Sequence, residues 1–243
     1  MSVLVEEIKL RKISIDDSKF NYSITHWFQP IYCLKNLSII GYEALLRDAS
    51  KLHISPNQIF KEAEEKGCQS TLDLMSIKTA LNNFRNESNL IFINIFPSTL
   101  LKGNFLYWWD TNIPEDMPVV LELLENEPVE NWKELKKVTR GLRARGVKIA
   151  VDDMGAGYSF FQQWIELEPD YIKLDRYFAS NLAVNPRKQR IVRFLVDLLV
   201  DSTKLIIEGV ETEADLNAAE LLGISYGQGY YLGKPSPKEN LIL

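Results

Sequence analysis

Short apolar runs recur along this chain, separated by stretches whose apolar residues fall at helical spacing. The runs are WFQPIYCL (27–34), LSIIGYEALL (37–46), LIFINIF (90–96), VVLELLE (119–125), VKIAVDD (147–153), YIKLD (171–175), KLIIEGV (204–210) and YGQGYYL (226–232). Near-continuous apolar runs of this length read as strands covered on both faces. Eight strands are therefore expected.

Helical patterns fill most of the gaps. One spans 56–66, with Ser55 as N-cap, Pro56 at the first helical position and a stop at Gly67. Others span 71–85, 128–145 and 185–201, the last with Ile191, Phe194, Leu195, Leu198 and Leu199 at helical spacing. A fifth, 212–222, opens on Thr-Glu-Ala-Asp, close to a capping box. Alternating strand and helix predicts a parallel sheet, and eight units closing on themselves predict a (β/α)8 TIM-type barrel of the α/β class. Only the residues around Lys35 and Asn36 separate the first two runs. A parallel crossover needs a dozen or more residues, so this pair is expected to be an antiparallel hairpin, giving a barrel with an antiparallel first strand. Residues 1–25 are mixed and polar and are expected to form a lead-in helix over one end of the barrel domain, 26–243.

Composition narrows the class. The 243 residues are 46% hydrophobic and 25% charged, as in ordinary globular proteins, and suit a single barrel. A net charge of −5 gives no basic footprint for a nucleic acid polymer, but leaves open a small nucleotide held through metal ions. Cys33 and Cys68 are too few for a disulfide framework, and no Cys/His cluster has zinc spacing. Charged residues interrupt the first apolar stretch, and no run approaches a membrane span. A cytoplasmic location with no membrane partner is expected. The aromatic group Tyr107, Trp108 and Trp109 is expected to pack on the barrel wall, the alternative being a partner surface.

The acids lie where the chemistry of a barrel is expected. Glu43, Asn94, Glu122, Asp152, Asp153 and Glu208 sit within or at the ends of five apolar runs. Barrel enzymes place their active groups at the carboxyl ends of the strands. Buried carboxylates converging there need cations, and an all-oxygen set with one amide suits Mg²⁺ or Mn²⁺ better than zinc. Asp152 and Asp153, adjacent at one strand tip, suit two ions 3.5–4 Å apart that activate water for in-line attack on phosphorus. Lys173 is either a cation that holds water or phosphate, or a structural ion-pair partner of these acids. His26 and His53 lie outside the set and are expected at the surface or behind the ligands. MGAGYS (154–159) is glycine-rich and expected to be a mobile loop shaping the site.

These residues carry a resemblance. QPI (29–31), EALLR (43–47), NIFP (94–97), ELLE (122–125), DDMGAGYS (152–159), IKLDR (172–176), EGVET (208–212) and QGYYLGKP (228–235) occur in the order found in the EAL-domain cyclic di-GMP phosphodiesterases, from about Trp27 to Pro237. The resemblance implies a barrel with a reversed first strand that hydrolyses cyclic di-GMP, a cyclic dinucleotide, to linear pGpG with two divalent cations, Mg²⁺ or Mn²⁺. It implies that Glu43, Asn94, Glu122 and Asp152 hold one metal, and that Asp152, Asp153 and Glu208 serve the second. It implies that Lys173 contacts the attacking water, Glu125 anchors the loop after Asp153, Glu211 and Gln228 order the water and phosphate side, and Gln29 and Arg47 hold the dinucleotide. It also implies a homodimer formed near the glycine-rich loop.

Three positions depart from the family's usual NLSP, ELTE and DDFG, namely Phe96, Leu124 and Met154. Each spares the ligands, although Phe96 and Leu124 remove hydroxyls near the site. The alternatives to an active phosphodiesterase are a catalytically silent cyclic di-GMP receptor, an adaptor acting through its surface, and a different metal-using barrel enzyme such as an enolising lyase.

Overall fold

The computed structural model describes residues 22–51, 54–85, 87–124, 127–129, 131–154, 160–199 and 203–241. The expected lead-in helix falls mostly on residues 1–21, outside the described residues.

Eight strands close into a barrel in chain order: β1 (Ile24–Cys33), β2 (Ser38–Asp48), β3 (Leu90–Ile95), β4 (Val119–Leu123), β5 (Lys148–Met154), β6 (Tyr171–Leu174), β7 (Lys204–Ile207) and β8 (Tyr226–Gly227). β1 runs antiparallel to both neighbours, β2 and β8, and every other pairing is parallel. The short link between the first two runs is a tight hairpin, in which Leu37 N–H donates to Cys33 O at 2.9 Å and Leu37 takes φ 54°. The reversed first strand expected from loop length is therefore present.

Among the described residues the helices are α1 (Pro56–Glu65), α2 (Gln69–Asn83), α3 (Pro97–Leu100), α4 (Phe105–Asn112), α5 (Trp132–Arg143), α6 (Phe160–Leu167), α7 (Arg176–Ala179), α8 (Pro186–Leu199) and α9 (Glu213–Leu221). Caps fix several starts. Ser55 accepts from Gln58 N–H, and Thr212 accepts from Asp215 N–H. α5 stops short of Gly146, whose φ of +79° suits a residue without Cβ.

Four helices were not legible as separate elements. α4 falls on FLYWWDTN, where Trp108 and Trp109 are buried as expected but Tyr107 is exposed. α3 and α7 have only four residues each, too short to show a period, and α6 follows the glycine-rich segment. In α8 the sequence pattern overstates burial. Leu195 and Leu199 are buried, but Ile191, Phe194 and Leu198 form an exposed stripe. The helix is apolar on more of its circumference than the barrel covers.

Two of the three hydrophobic clusters among the described residues build the barrel, and the third, Leu46, Ile59, Ala63, Cys68 and Leu72, lies between β2, α1 and α2. Of the two barrel clusters, the larger lies between strands and helices and includes Phe28, Tyr42, Ile93, Leu121, Val151 and Leu174. The smaller fills the inside of the barrel with Ile31, Phe92, Val120, Ala150, Tyr171 and Ile206. The rings of Phe92 and Tyr171 meet edge-on at 5.2 Å.

Candidate metal centre

The site follows from the period of a strand. Residues two apart share a face. Two residues beyond each inner apolar residue toward the carboxyl rim stands a polar one: Phe92 leads to Asn94, Val120 to Glu122, Ala150 to Asp152, Tyr171 to Lys173, Ile206 to Glu208 and the half-buried Tyr226 to Gln228. β1 runs the other way, so its polar residue precedes its apolar one, Gln29 before Ile31. Register joins the set sideways, with Gln29 opposite Glu43 and Asn94 opposite Glu122. The apolar floor thus carries a polar layer directly above it.

Lys173 is the centre of that layer and is buried. Its Nζ lies 2.8 Å from Glu208 Oε1, 3.1 Å from Glu122 Oε1, 3.1 Å from Asp152 Oδ1 and 3.3 Å from Glu43 Oε2. Burial alone would lower the lysine pKa, but Asp152, Glu122, Glu208 and Glu43 outweigh it and hold the pKa well above the ordinary value. The carboxylates share one ammonium unequally. Burial opposes the charge of Glu43, yet Lys173 and hydrogen bonds from Gln228 and Asn94 hold its pKa below the usual range. Burial pushes Glu122 well above it and raises Asp152. Glu208 is pushed up to about 8 by burial despite Lys173, and Asp153 to about 6 by burial and the Asp152 charge.

Two adjacent aspartates would face opposite sides of a regular strand. β5 avoids this with an irregularity. Val151 pairs with Ile172 and Met154 with Leu174, so the intervening residues are one more on β5 than on β6. Asp153 sits in this bulge at φ 54°, a left-handed conformation that aspartate tolerates better than most residues. Asp152, Asp153 and Glu208 each present an oxygen within 4.8 Å of the others.

The layer has oxygen atoms to spare. Both carboxylate oxygens of Glu122, Asp152 Oδ1 and Asn94 Oδ1 are buried and accept no hydrogen bond from the described residues. Glu122 is at ion-pair distance from Lys173, but no donor is aimed at it. Unsatisfied hard oxygen atoms of this kind fit Mg²⁺ or Mn²⁺.

Gln228 Nε2 donates to Glu43 Oε2 at 2.7 Å and to Gln29 Oε1 at 3.0 Å, and Gln29 Nε2 donates to Gly233 O at 3.0 Å. Arg47 lies with its guanidinium 5.3 Å from the Trp27 ring centroid and donates to Leu46 O. Glu211 is exposed, 3.6 Å from Arg176, and with Gln29, Glu43, Glu208 and Gln228 lines an open cavity of about 200 Å³. Glu125, His53 and residues 155–159 of the glycine-rich segment lie outside the described residues. His26, on β1, is buried against α2, with its ring 2.9 Å from Ser76 Oγ, and burial lowers its pKa to about 3.

Sequence reasoning gave no role to Asp175, Arg176, Tyr230 or Trp27. The first three line the same cavity, and Trp27 lies under Arg47. Asp175 and Arg176 immediately follow β6 and so carry the same strand-end signal as the ligand candidates. Gly209, at φ +67°, lets the backbone after Glu208 pass Arg176, because a Cβ there would come within 2.5 Å of Arg176 Cβ.

The fold and the site together define a closed α/β barrel with a cluster of acidic and amide side chains at its carboxyl rim, three of which, Asp152, Asp153 and Glu208, are spaced so that they could hold a metal ion. The chain belongs to the EAL domain family, whose family model matches residues 15–235. It is 32% identical over 225 residues to the probable cyclic di-GMP phosphodiesterase PdeI of Escherichia coli K12, covering 86% of this chain and 28% of PdeI. The chain therefore spans less than a third of that relative's length. Among solved structures it resembles the EAL domain protein of Listeria monocytogenes, with 26% identity, a TM-score of 0.81 and coverage of 89% of this chain and 90% of that one. It also resembles Klebsiella pneumoniae BlrP1 in a manganese and cyclic di-GMP complex, with 26% identity, a TM-score of 0.77 and coverage of 88% and 56%.

Proposed function

We propose that this barrel hydrolyses one phosphodiester bond of cyclic di-GMP to give linear pGpG, using two divalent cations, Mg²⁺ or Mn²⁺. One observation carries the reading. Four carboxylates, Glu43, Glu122, Asp152 and Glu208, surround one ammonium, Lys173, and a fifth, the exposed Asp153, lies beside Asp152 and Glu208, while oxygens of Glu122 and Asp152 lack hydrogen-bond donors. Fully ionised, five negative charges and one positive leave four negative. Two divalent cations carry four positive. Membership of the EAL family, and the names of the relatives above, point to the cyclic dinucleotide as substrate.

Glu43, Asn94, Glu122 and Asp152 would hold one cation, and Asp152, Asp153 and Glu208 the second. Such ions supply Lewis acidity at the phosphate and lower the pKa of water. The chain's own residues do the rest. Lys173, held protonated, donates to the attacking water or the phosphate and does not act as a base. Gln228 fixes Glu43 and Gln29 in one orientation. Gln29 and Arg47 hold the dinucleotide, and Glu211 and Gln228 order the water and phosphate side of the mouth. In the overall reaction a water oxygen bonds to phosphorus as the P–O3′ bond breaks. One proton of the water ends on the 3′-hydroxyl of pGpG and the other passes to solvent.

The proposal includes a homodimer and a cytoplasmic location. Exposed Ile165 on α6 and the exposed stripe Ile191, Phe194 and Leu198 on α8 support self-association. Free Cys33 and Cys68 suit a reducing compartment. Among the described residues no helix is long and apolar enough to cross a membrane. The test is chromatography of purified protein incubated with cyclic di-GMP and either metal. pGpG is the expected product. Intact ligand that stays bound under both metals would replace this reading with that of a silent receptor.

A further inference from the structure

Helix α3 has a first turn whose hydrogen bonds come from elsewhere in the chain. A helix start leaves N–H groups without partners, and a Ser, Thr, Asn or Asp at the N-cap ordinarily serves them. Here the N-cap is Phe96, which offers no acceptor, and Pro97 follows it. Two carboxylates from other elements take the place of the cap. Asp73, on α2, accepts through Oδ2 from Phe96 N–H at 3.1 Å and from Thr99 Oγ1 at 2.6 Å. Glu127, in the segment after β4, accepts from Ser98 N–H at 2.8 Å.

This clamp grips the backbone two residues past Asn94, the one amide in the candidate ligand set. Asn94 is held by its own side chain on one side only. Its Nδ2 donates to Glu43 Oε1 at 3.2 Å, while its Oδ1 is buried without a hydrogen-bond partner among the described residues. The place of that oxygen therefore depends on the backbone that carries it. Asp73 and Thr99 are fully buried, so the clamp is shielded from water. Asp73 Oδ1 has no donor among the described residues. A buried carboxylate with an unsatisfied oxygen destabilises a fold relative to an apolar neighbour. Its presence behind Asn94 is better accounted for by positioning than by stability.

We propose that Asp73, together with Thr99 and Glu127, is a positioning residue of the metal centre, fixing the end of β3 so that Asn94 Oδ1 is available to a cation shared with Glu43 and Glu122. The inference rests on the metal reading given above. The test is direct Mn²⁺ binding to the intact chain, by calorimetry or by the electron paramagnetic resonance of free Mn²⁺, beside thermal denaturation in chelator. Asn94→Ala, which removes the ligand itself, sets the scale. Asp73→Leu, which removes the acceptor oxygen, should bind Mn²⁺ about tenfold more weakly, the loss typical when support behind a ligand is removed. The metal needed for half-maximal turnover should rise by the same factor, while turnover at saturating metal changes little. Thr99→Val should weaken binding in the same direction, and Thr99→Ser, which keeps the hydroxyl, should restore it. If Asp73→Leu does not fold, the two Thr99 variants decide. A variant with a lowered melting temperature but wild-type Mn²⁺ affinity would show that the clamp only stabilises the fold. Wild-type protein whose Mn²⁺ binding Asn94→Ala leaves unchanged would overturn the metal reading as well.

Discussion

The inside of this barrel holds two layers one strand repeat apart, and they obey opposite rules. The lower layer, Ile31, Phe92, Val120, Ala150, Tyr171 and Ile206, excludes water and is satisfied by contact alone. The upper layer, on the same faces of the same strands, holds Gln29, Asn94, Glu122, Asp152, Lys173 and Glu208, and leaves several oxygens without donors. The backbone is the same in both. What differs is whether the chain itself meets the needs of its side chains. The lower layer stabilises the barrel, whereas the upper layer buries oxygens without donors, a cost that the proposed cations would offset.

The largest expected effect comes from emptying the upper layer. Asp152→Ala, which removes the residue proposed to serve both cations, should reduce pGpG formation to below about a thousandth of wild type, the scale of several kcal/mol of lost charge stabilisation. The far-ultraviolet circular dichroism should be unchanged. Retained turnover would remove Asp152 from the mechanism.

Next is the lower layer. Phe92→Ala should destabilise the fold by about 3–5 kcal/mol in chemical denaturation, because it removes a buried ring packed on Tyr171. The fraction that remains folded should still bind Mn²⁺. A small loss of stability would mean that the two layers are not separable as described.

A pH series in chelator should separate the layers further. Native Glu208 keeps its proton up to about 8 and Asp153 up to about 6, whereas carboxylates of the unfolded chain release theirs near 4. Between those limits unfolding releases protons, so stability is greatest on the acid side and falls as pH rises toward 8. The melting temperature should fall by about 4 °C or more over that range, the shift for about 1–2 kcal/mol in a domain of this size. Excess Mn²⁺ should flatten the profile. A flat profile in chelator would mean that the upper layer carries no charge strain.

The smallest effect has the opposite sign from most mutations. Glu122→Gln keeps the shape of a fully buried side chain and makes permanent the neutral form that burial favours against the pull of Lys173. In chelator it should stabilise the chain by about 1 kcal/mol while abolishing turnover, a stability–function exchange. Destabilisation would show that Lys173 needs Glu122 more than the excess of acid harms it.

Much of this was legible in the sequence. The eight runs gave the strands, and the few residues around Lys35 and Asn36 gave the reversed β1. The acids stood out because Glu122 and Asp152 interrupt runs that are otherwise apolar, a signal of burial with no ordinary reason for it. What stayed hidden depends on the third dimension. The bulge at Asp153 leaves no mark in composition, since any residue able to adopt positive φ would allow it. Asp73 lies inside a helical pattern, and its contact with the end of β3 joins residues more than twenty apart. α8 misled for a related reason. Ile191, Phe194 and Leu198 have the spacing of a core face, but spacing does not say what covers them.

The hydrogen bond from Gln228 to Gln29 joins residues 199 positions apart. A nascent chain still lacking β8, or a fragment cut before it, would carry every carboxylate of the centre yet lack one of the two amides that orient Glu43. Contacts this distant in sequence form late, because so much chain must be ordered to bring the ends together. The centre is therefore assembled by ring closure as much as by any single strand, and tight cation binding would mark the moment when the first and last strands have met.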